Sequence, residues 1–313
     1  MSSIIEVQNL VKKYKNTPNS AIDDISFEVN EGEFFSFLGP NGAGKTTTIS
    51  VLTTTLSKTS GTVKIGGYDI DKQASEVRAK IGVIFQKPSL DLNLTAEENI
   101  RLHCVLYKMY NFQPSYALMP KSYKDKVAQL AEVLELKNDI FKPIKTYSGG
   151  MKRKLEIVRT LMHQPKVLFL DEPTSGLDPL SRKNLWTYLK DIRQKENTTI
   201  FLTTHYLEEA EDADTVCVIN HGKIIVNSTV NDIKNKLVKH YIYAESNNNN
   251  ELKQELQRLN YKFEESGNGY NIYSQKEDSQ KIIKSINATL TELYIHQPTL
   301  EDVYLDLIKG NDD

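Results

Sequence analysis

Apolar and polar residues alternate along SSIIEVQNLVKKY with the two-residue period of a strand that turns one face to a core. AIDDISFEVNEGEFFSFLG repeats that signal twice around a turn at Asn30–Gly32, and GTVKIGGYDI reads as a short hairpin. TTTISVLTTTL switches to a helical pattern and opens on the glycine-rich run before it; VRAKIGVIFQ reads as a helix end followed by a buried strand. From about residue 90 to about 150 the period is helical. That stretch holds LTAEENIRLHCVLYKMY, with Thr95 and Glu98 spaced for a capping box, and KSYKDKVAQLAEVLELKN. After it the apolar runs KVLFLDEP, TTIFLTTHY and TVCVINHGKIIV alternate with helical segments, which predicts a mostly parallel sheet.

Around Val230–His240 the pattern becomes a polar, lysine-rich helix. HYIYAES, ELKQELQRL, YKFEES, YNIYSQ, EDSQKIIKSIN and TELYIHQ then read as strand, helix, strand, strand, helix, strand, the ferredoxin-like βαββαβ plan. A last helix, TLEDVYLDLIKG, follows. The expectation is an α/β domain over 1–230 with a helical subdomain inserted at about 90–150, then a small α+β domain over 241–313. No internal repeat is visible.

A length of 313 residues allows one to three domains, and the composition is that of a soluble globular protein. A net charge of −2 argues against nucleic acid as a main partner. The nearest thing to a basic cluster, Lys152, Arg153 and Lys154, reads as a solvated helix face. MSSIIEVQNL lacks the positive start, apolar core and cleavage site of a signal peptide. No apolar run approaches the ~18 residues needed to span a bilayer. A cytoplasmic chain is expected, with any membrane role supplied by a partner. Cys104 and Cys217 have no companions at metal-ligand spacing and read as reduced, partly buried thiols.

GPNGAGKT fits G-x-x-x-x-G-K-[ST] with Gly39, Gly44, Lys45 and Thr46, between a strand and a helix as that motif requires. With Pro40, Asn41, Gly42 and Ala43 inside it and Thr47 behind, the run reads as a phosphate cradle. Its glycines let backbone N–H groups turn inward, and the helix N-terminus adds partial positive charge. Lys45 would hold the β- and γ-phosphates, and the Thr46 hydroxyl would bind Mg²⁺. KVLFLDEP puts Asp171 where an apolar strand ends, the usual ligand-facing position in such sheets, to reach Mg²⁺ through water. Glu172 is the candidate base for an attacking water. ATP and Mg²⁺ are the expected ligands.

A second glycine element, YSGGMKRK, lies about a hundred residues further on and resembles a signature usually written LSGGQ. Gln86 in IGVIFQ matches a Q-loop, Ser175–Asp178 (SGLD) a D-loop, and His205 in FLTTHY a switch histidine. Tyr14 lies 25 residues ahead of Gly39, where the family that these motifs resemble places an aromatic that stacks on adenine. In this order the motifs resemble the ATP-binding subunit of ABC transporters over about residues 4–227. The resemblance implies a P-loop ABC ATPase core and head-to-tail pairing of two such domains, as a homodimer or a heterodimer with a similar subunit. Ser148, Gly149 and Gly150 would then contact the γ-phosphate held by the partner, and Asp178 would lie across the interface. His205 would contact the γ-phosphate, and Gln86 would sense Mg²⁺ and the water. The helical insertion would touch a separate polytopic permease, which places the chain peripherally at the cytoplasmic face of the membrane.

Tyr147 and Met151 replace the usual leucine and glutamine and leave the SGG core intact. YSGGM and the tail QPTLEDVYLDLIKG together resemble the drug, antibiotic and sodium efflux branch, whose permeases are of the ABC-2 type. That implies an exporter; drug, peptide, lipid-linked precursor and sodium ion all stay open as cargo. Two other functions compete. A soluble ABC ATPase of translation or DNA repair usually carries two ATP-binding domains or long coiled coils, whereas this chain has one motif set and no sustained heptads. A binding module without turnover sits poorly with the intact set Lys45, Asp171, Glu172 and His205.

Overall fold

The computed structural model describes residues 2–15, 17–86, 89–204, 206–237, 241–273, 279–296 and 299–309. Contacts divide the chain into two compact units, Met1–Asn227 and Ser228–Asp313. The first opens with β1 (Ser3–Lys12), β2 (Ile22–Asn30), β3 (Phe34–Leu38), α1 (Lys45–Leu52), β4 (Ser60–Ile65), β5 (Tyr68–Asp69), α2 (Ala74–Lys80) and β6 (Ile81–Ile84). It continues with α3 (Ala96–Leu106), α4 (Lys121–Val133), α5 (Gly149–Leu161), β7 (Val167–Asp171), α6 (Pro179–Glu196), β8 (Thr199–Thr204), α7 (Leu207–Ala210), β9 (Thr215–Asn220) and β10 (Lys223–Thr229).

These strands form two sheets: the mostly parallel one that the later apolar runs predict, and a second, antiparallel one built from the early strands. One has the order β10-β9-β3-β8-β7-β6, with β9, β3, β8, β7 and β6 parallel to one another. Its central strands are buried along their whole length, as a sheet covered on both faces requires. The other, β2-β1-β4-β5, is antiparallel and alternates buried with exposed residues. β2 and β3 flank the turn at Asn30–Gly32 and yet belong to different sheets.

Five phenylalanines, Phe27, Phe35, Phe37, Phe169 and Phe201, join the sheets. Phe27 of β2 stacks on Phe35 of β3 at 5.5 Å between ring centroids, and Phe201 of β8 lies 5.2 Å from Phe35, 5.3 Å from Phe169 and 6.1 Å from Phe27. Such rings contribute through area removed from water and through their offset or tilted geometry.

The helical insertion begins with the expected box. Thr95 Oγ1 accepts from the Glu98 N–H at 3.2 Å, and Glu98 Oε2 accepts from the Thr95 N–H at 2.8 Å. Two readings of single residues need correction. Arg153 is 3 % exposed, so the basic cluster is no uniformly solvated face. α5 lies against β6 and α4, and this turns position 153 inward while Lys154 bonds Glu135 at 2.9 Å. Cys104 and Cys217 are fully buried, not partly.

The second unit runs α8 (Val230–Leu237), β11 (Tyr241–Ser246), α9 (Asn249–Arg258), β12 (Phe263–Ser266), β13 (Gly269–Tyr273), α10 (Ser279–Ser285), β14 (Leu290–His296) and α11 (Leu300–Lys309). Its antiparallel sheet has the order β12-β13-β11-β14. Ile242 and Ala244 of β11 meet Leu252 and Leu256, one turn apart on α9, in a small core with Ile272 and Ile282. In the tail motif Gln297 and Pro298 lie outside the described residues. Asp302 accepts from the Thr299 N–H at 2.8 Å and pairs with His296 at 2.9 Å, which closes the start of α11. Among the described residues no helix is long and apolar enough to cross a membrane.

Phe201→Ala should destabilise the first unit by about 3–5 kcal/mol, because it empties a ring-sized volume between the sheets. Chemical denaturation checks this; a loss below about 1 kcal/mol would show that the phenylalanine cluster is not what joins them.

Candidate functional site

Parallel register brings the ends of four strands to one edge of the sheet. Leu38 of β3 lies beside Thr204 of β8, Thr203 beside Asp171 of β7, and Leu170 beside Ile84 of β6. Loops leaving these ends share one crevice, the usual ligand position in sheets of this kind. The Gly39–Thr47 loop follows β3, Gln86 follows β6, Glu172 follows β7, and His205, which lies outside the described residues, follows β8.

The loop is held by its own backbone. Ala43 is buried, its N–H donates to Pro40 O at 3.2 Å, and its carbonyl accepts from the Gly222 N–H at 3.0 Å. Gly44 caps α1 at φ 111, where a Cβ would also come within 2.5 Å of Ala21 O. Gly42 has φ 83 with open space around it, so its requirement is conformational alone. Asn41 and Gly42 are exposed at the tip. Lys45 is 7 % exposed, and its ammonium donates to Gly39 O at 2.6 Å and Pro40 O at 3.1 Å. Burial pushes this ammonium below its ordinary pKa, while the charges of Glu172 and Asp171 draw it upward. At the far end of the loop the Tyr14 hydroxyl lies 3.4 Å from Thr47 Oγ1. The ring is 41 % exposed and carries Lys12 Nζ 5.3 Å from its centroid.

Asp171 is 2 % exposed. Its Oδ1 accepts from the Thr203 hydroxyl at 2.5 Å, and its buried Oδ2 has no hydrogen-bond partner. Burial raises the Asp171 pKa above its ordinary value, the Thr203 hydroxyl opposes this, and Glu172 adds to it. The Thr46 hydroxyl is close enough to favour the ionised form without a full bond to Oδ2. A buried carboxylate oxygen left open beside an exposed threonine hydroxyl suits a hard cation reached directly or through water. The donor set of Thr46 and Asp171 therefore fits Mg²⁺. Gln86 Nε2 donates to Glu172 Oε2 at 3.0 Å, so the amide oxygen, the atom of Gln86 able to ligate a metal, is not spent in that bond.

Glu172 itself has φ 49, a left-handed conformation that costs a non-glycine residue about 1–2 kcal/mol. Its N–H donates to Thr203 O at 3.0 Å.

Ser148 caps α5, its Oγ accepting from the Met151 N–H at 3.2 Å, which leaves the hydroxyl proton free to donate outward. Ser148 and Gly149 are exposed. Tyr147 is buried, and its hydroxyl donates to Asp139 O at 2.7 Å, anchoring the turn from beneath. Asp178 caps α6, accepting from the Ser181 N–H at 2.9 Å and from the Ser181 hydroxyl. The fold thus gathers Lys45, Thr46, Gln86, Asp171 and Glu172. Among the described residues no hydrogen bond ties Ser148, Gly149, Gly150 or Asp178 to the Gly39–Thr47 loop.

Sequence reasoning missed Glu209. It is 7 % exposed, accepts from the Thr204 hydroxyl at 2.7 Å and takes a short hydrogen bond from the Thr174 hydroxyl. It therefore ties the segment after Glu172 to the residue before His205. The signal available was a buried polar pair, Thr203–Thr204, inside an apolar strand.

Residues 22–175 match a family model described as ABC transporter. The chain is 30 % identical over 316 residues to the bacitracin transport ATP-binding protein BcrA of Bacillus licheniformis, covering 99 % of each. It is 36 % identical over 232 residues to the probable multidrug ABC transporter ATP-binding protein YbhF of Escherichia coli (strain K12). That match takes in 74 % of this chain and only 38 % of YbhF. Among solved structures, the dimeric post-hydrolysis state of the ATP-binding cassette MJ0796 bound to ADP and Pi is 25 % identical, with a TM-score of 0.65. It covers 72 % of this chain and 98 % of that one.

Glu209→Ala should cost about 2–4 kcal/mol, because two buried threonine hydroxyls lose their acceptor. Urea denaturation measures this; a stability equal to wild type would show that the bridge is incidental.

Proposed function

This chain belongs to the ABC transporter ATP-binding family, and from that footing we propose that it is the ATP-hydrolysing subunit of a membrane exporter. The observation that carries the reading is the shared crevice of cradle, unpaired Asp171 oxygen and strained Glu172 bonded to Gln86.

In this reading the Gly39–Thr47 backbone N–H groups and Lys45 bind the β- and γ-phosphates, and Tyr14 takes the adenine. Lys45 exchanges its bonds to Gly39 O and Pro40 O for phosphate oxygens. Thr46 and Asp171 hold Mg²⁺, with Gln86 at its edge. Bound there, Mg²⁺ supplies charge neutralisation along the phosphates. Glu172 accepts a proton from the attacking water, Gln86 keeps the Glu172 carboxylate in place, and His205 supports the γ-phosphate and the water. Asp171, 2 % exposed, is assigned to the metal, and proton acceptance to Glu172.

A second copy, or a similar subunit, completes the site. A Cβ at Gly149 would meet no atom within 4 Å in this chain, so nothing inside the subunit demands glycine there. A close-fitting group from outside accounts for it. Ser148, with its free hydroxyl proton, and the N–H groups of Gly149 and Gly150 at the start of α5 suit the γ-phosphate held by a partner. Asp178 lies across the same interface. Closure then depends on the γ-phosphate, and hydrolysis releases it. Export is supported by relatives named for bacitracin transport and multidrug transport. The membrane path belongs to a separate polytopic permease, with this chain peripheral on its cytoplasmic face, and no nucleic acid takes part.

Glu172→Gln should retain ATP binding and lose turnover by about a hundredfold or more, because only the proton acceptor is removed. Phosphate release at the wild-type rate would sink the assignment. The same variant, tagged and held with ATP and Mg²⁺ in gently solubilised native membranes, should copurify a polytopic membrane protein in near-equal amount. Ribosomal or DNA-repair proteins without a membrane protein would instead mark a soluble ABC ATPase.

A further inference from the structure

All five N–H donors of Arg153 are engaged. Nε donates to Pro173 O at 2.9 Å, and Nη2 donates to Asp171 O and Glu172 O, each at 2.9 Å. Nη1 donates to Glu156 Oε2 at 3.3 Å and makes a short hydrogen bond to Phe85 O. Four of the five acceptors are main-chain carbonyls, and they fall in two segments: the one that carries Glu172 and the one that leads into Gln86. Arg153 stands on α5, the helix that begins at Gly149 behind the Ser148 cap.

Two more contacts extend the arrangement. Glu156 Oε1 accepts from the Ser89 N–H at 2.7 Å, and Arg159 donates to Ser89 O at 2.7 Å and to Ser89 Oγ at 2.8 Å. α5 therefore grips the Gln86 segment on both sides, through Phe85 and through Ser89. The left-handed Glu172 peptide is likewise held at both ends, its N–H by Thr203 and its carbonyl by Arg153.

We propose that Arg153 is a positioning residue for hydrolysis: it fixes Glu172 and Gln86 to the signature helix, so that base, amide and Ser148–Gly150 move as one piece. The proposal rests on the reading of Glu172 as the base. It assigns Arg153 no contact with ATP. The chemistry needs arginine. A planar guanidinium sends five donors in fixed directions, whereas a lysine ammonium has three on a single atom and cannot serve five acceptors in two segments.

The test uses the full chain with Arg153→Lys and Arg153→Gln. Glutamine leaves no buried cation unpaired, so it reports if the lysine variant does not fold. ATP affinity is read by fluorescent nucleotide titration and turnover by phosphate release. Turnover should fall about tenfold or more while the ATP Kd stays within about twofold, because the cradle is untouched and only the placement of base and amide is lost. Wild-type turnover in either folded variant would overturn the proposal. So would a Kd that weakens in step with turnover, as general damage to the fold would give. Glu172→Gln runs alongside. If it retains turnover, the base assignment has failed. If it is silent while Arg153→Lys turns over normally, the positioning role alone is lost.

Discussion

The backbone hydrogen bonds that set Leu38 beside Thr204, Thr203 beside Asp171 and Leu170 beside Ile84 decide where every polar group of the crevice ends up. Shift one strand by a residue and Asp171 exchanges its place with a leucine, since side chains alternate between faces. That register is held by strands buried on both faces and by the phenylalanines that pack β3, β7 and β8 against β2. The chemistry is thus carried by loops, while its geometry is carried by a core that touches no ligand.

Several groups in the crevice are unfavourable for folding. Asp171 keeps a buried oxygen unpaired, Lys45 is buried as a cation, and Glu172 holds a left-handed backbone. In the proposed reading each would become favourable once phosphate and a hard cation bind: the cation would satisfy the oxygen, the phosphate would satisfy the ammonium, and the bent peptide would aim the carboxylate. Arg153 holds the main chain of Asp171 and Glu172, and Glu209 braces the segments beside them. One ties Glu172 to α5, the other ties Thr174 to Thr204.

The cradle, the Thr95 box and the second unit's strand order were legible because each is written over neighbouring residues or in plain alternation. Gly39 to Thr47 is one loop, and Thr95 finds Glu98 one turn later. The division of the early strands between two sheets was not legible. β1 pairs with β4 across the whole cradle and α1, and nothing in either strand's own pattern names its partner. Arg153 was misread because Lys-Arg-Lys looks like a solvated stripe; its five acceptors lie 3 to 68 residues away in sequence. Glu209 failed to stand out among neighbouring acids for the same reason, since its partners converge only in the folded chain. The role of Tyr147 shows the reverse case. The departure from leucine became intelligible once its hydroxyl was found on Asp139 O.

The most direct test of the account is the mass of the Glu172→Gln chain in solution by light scattering, with and without ATP. If Ser148–Gly150 close on a γ-phosphate held by a second copy, the mass should rise from 35.7 kDa to twice that value with ATP and Mg²⁺, and should stay at the single-chain value with ADP. A mass that is the same with ATP, with ADP and with neither would contradict closure driven by the γ-phosphate.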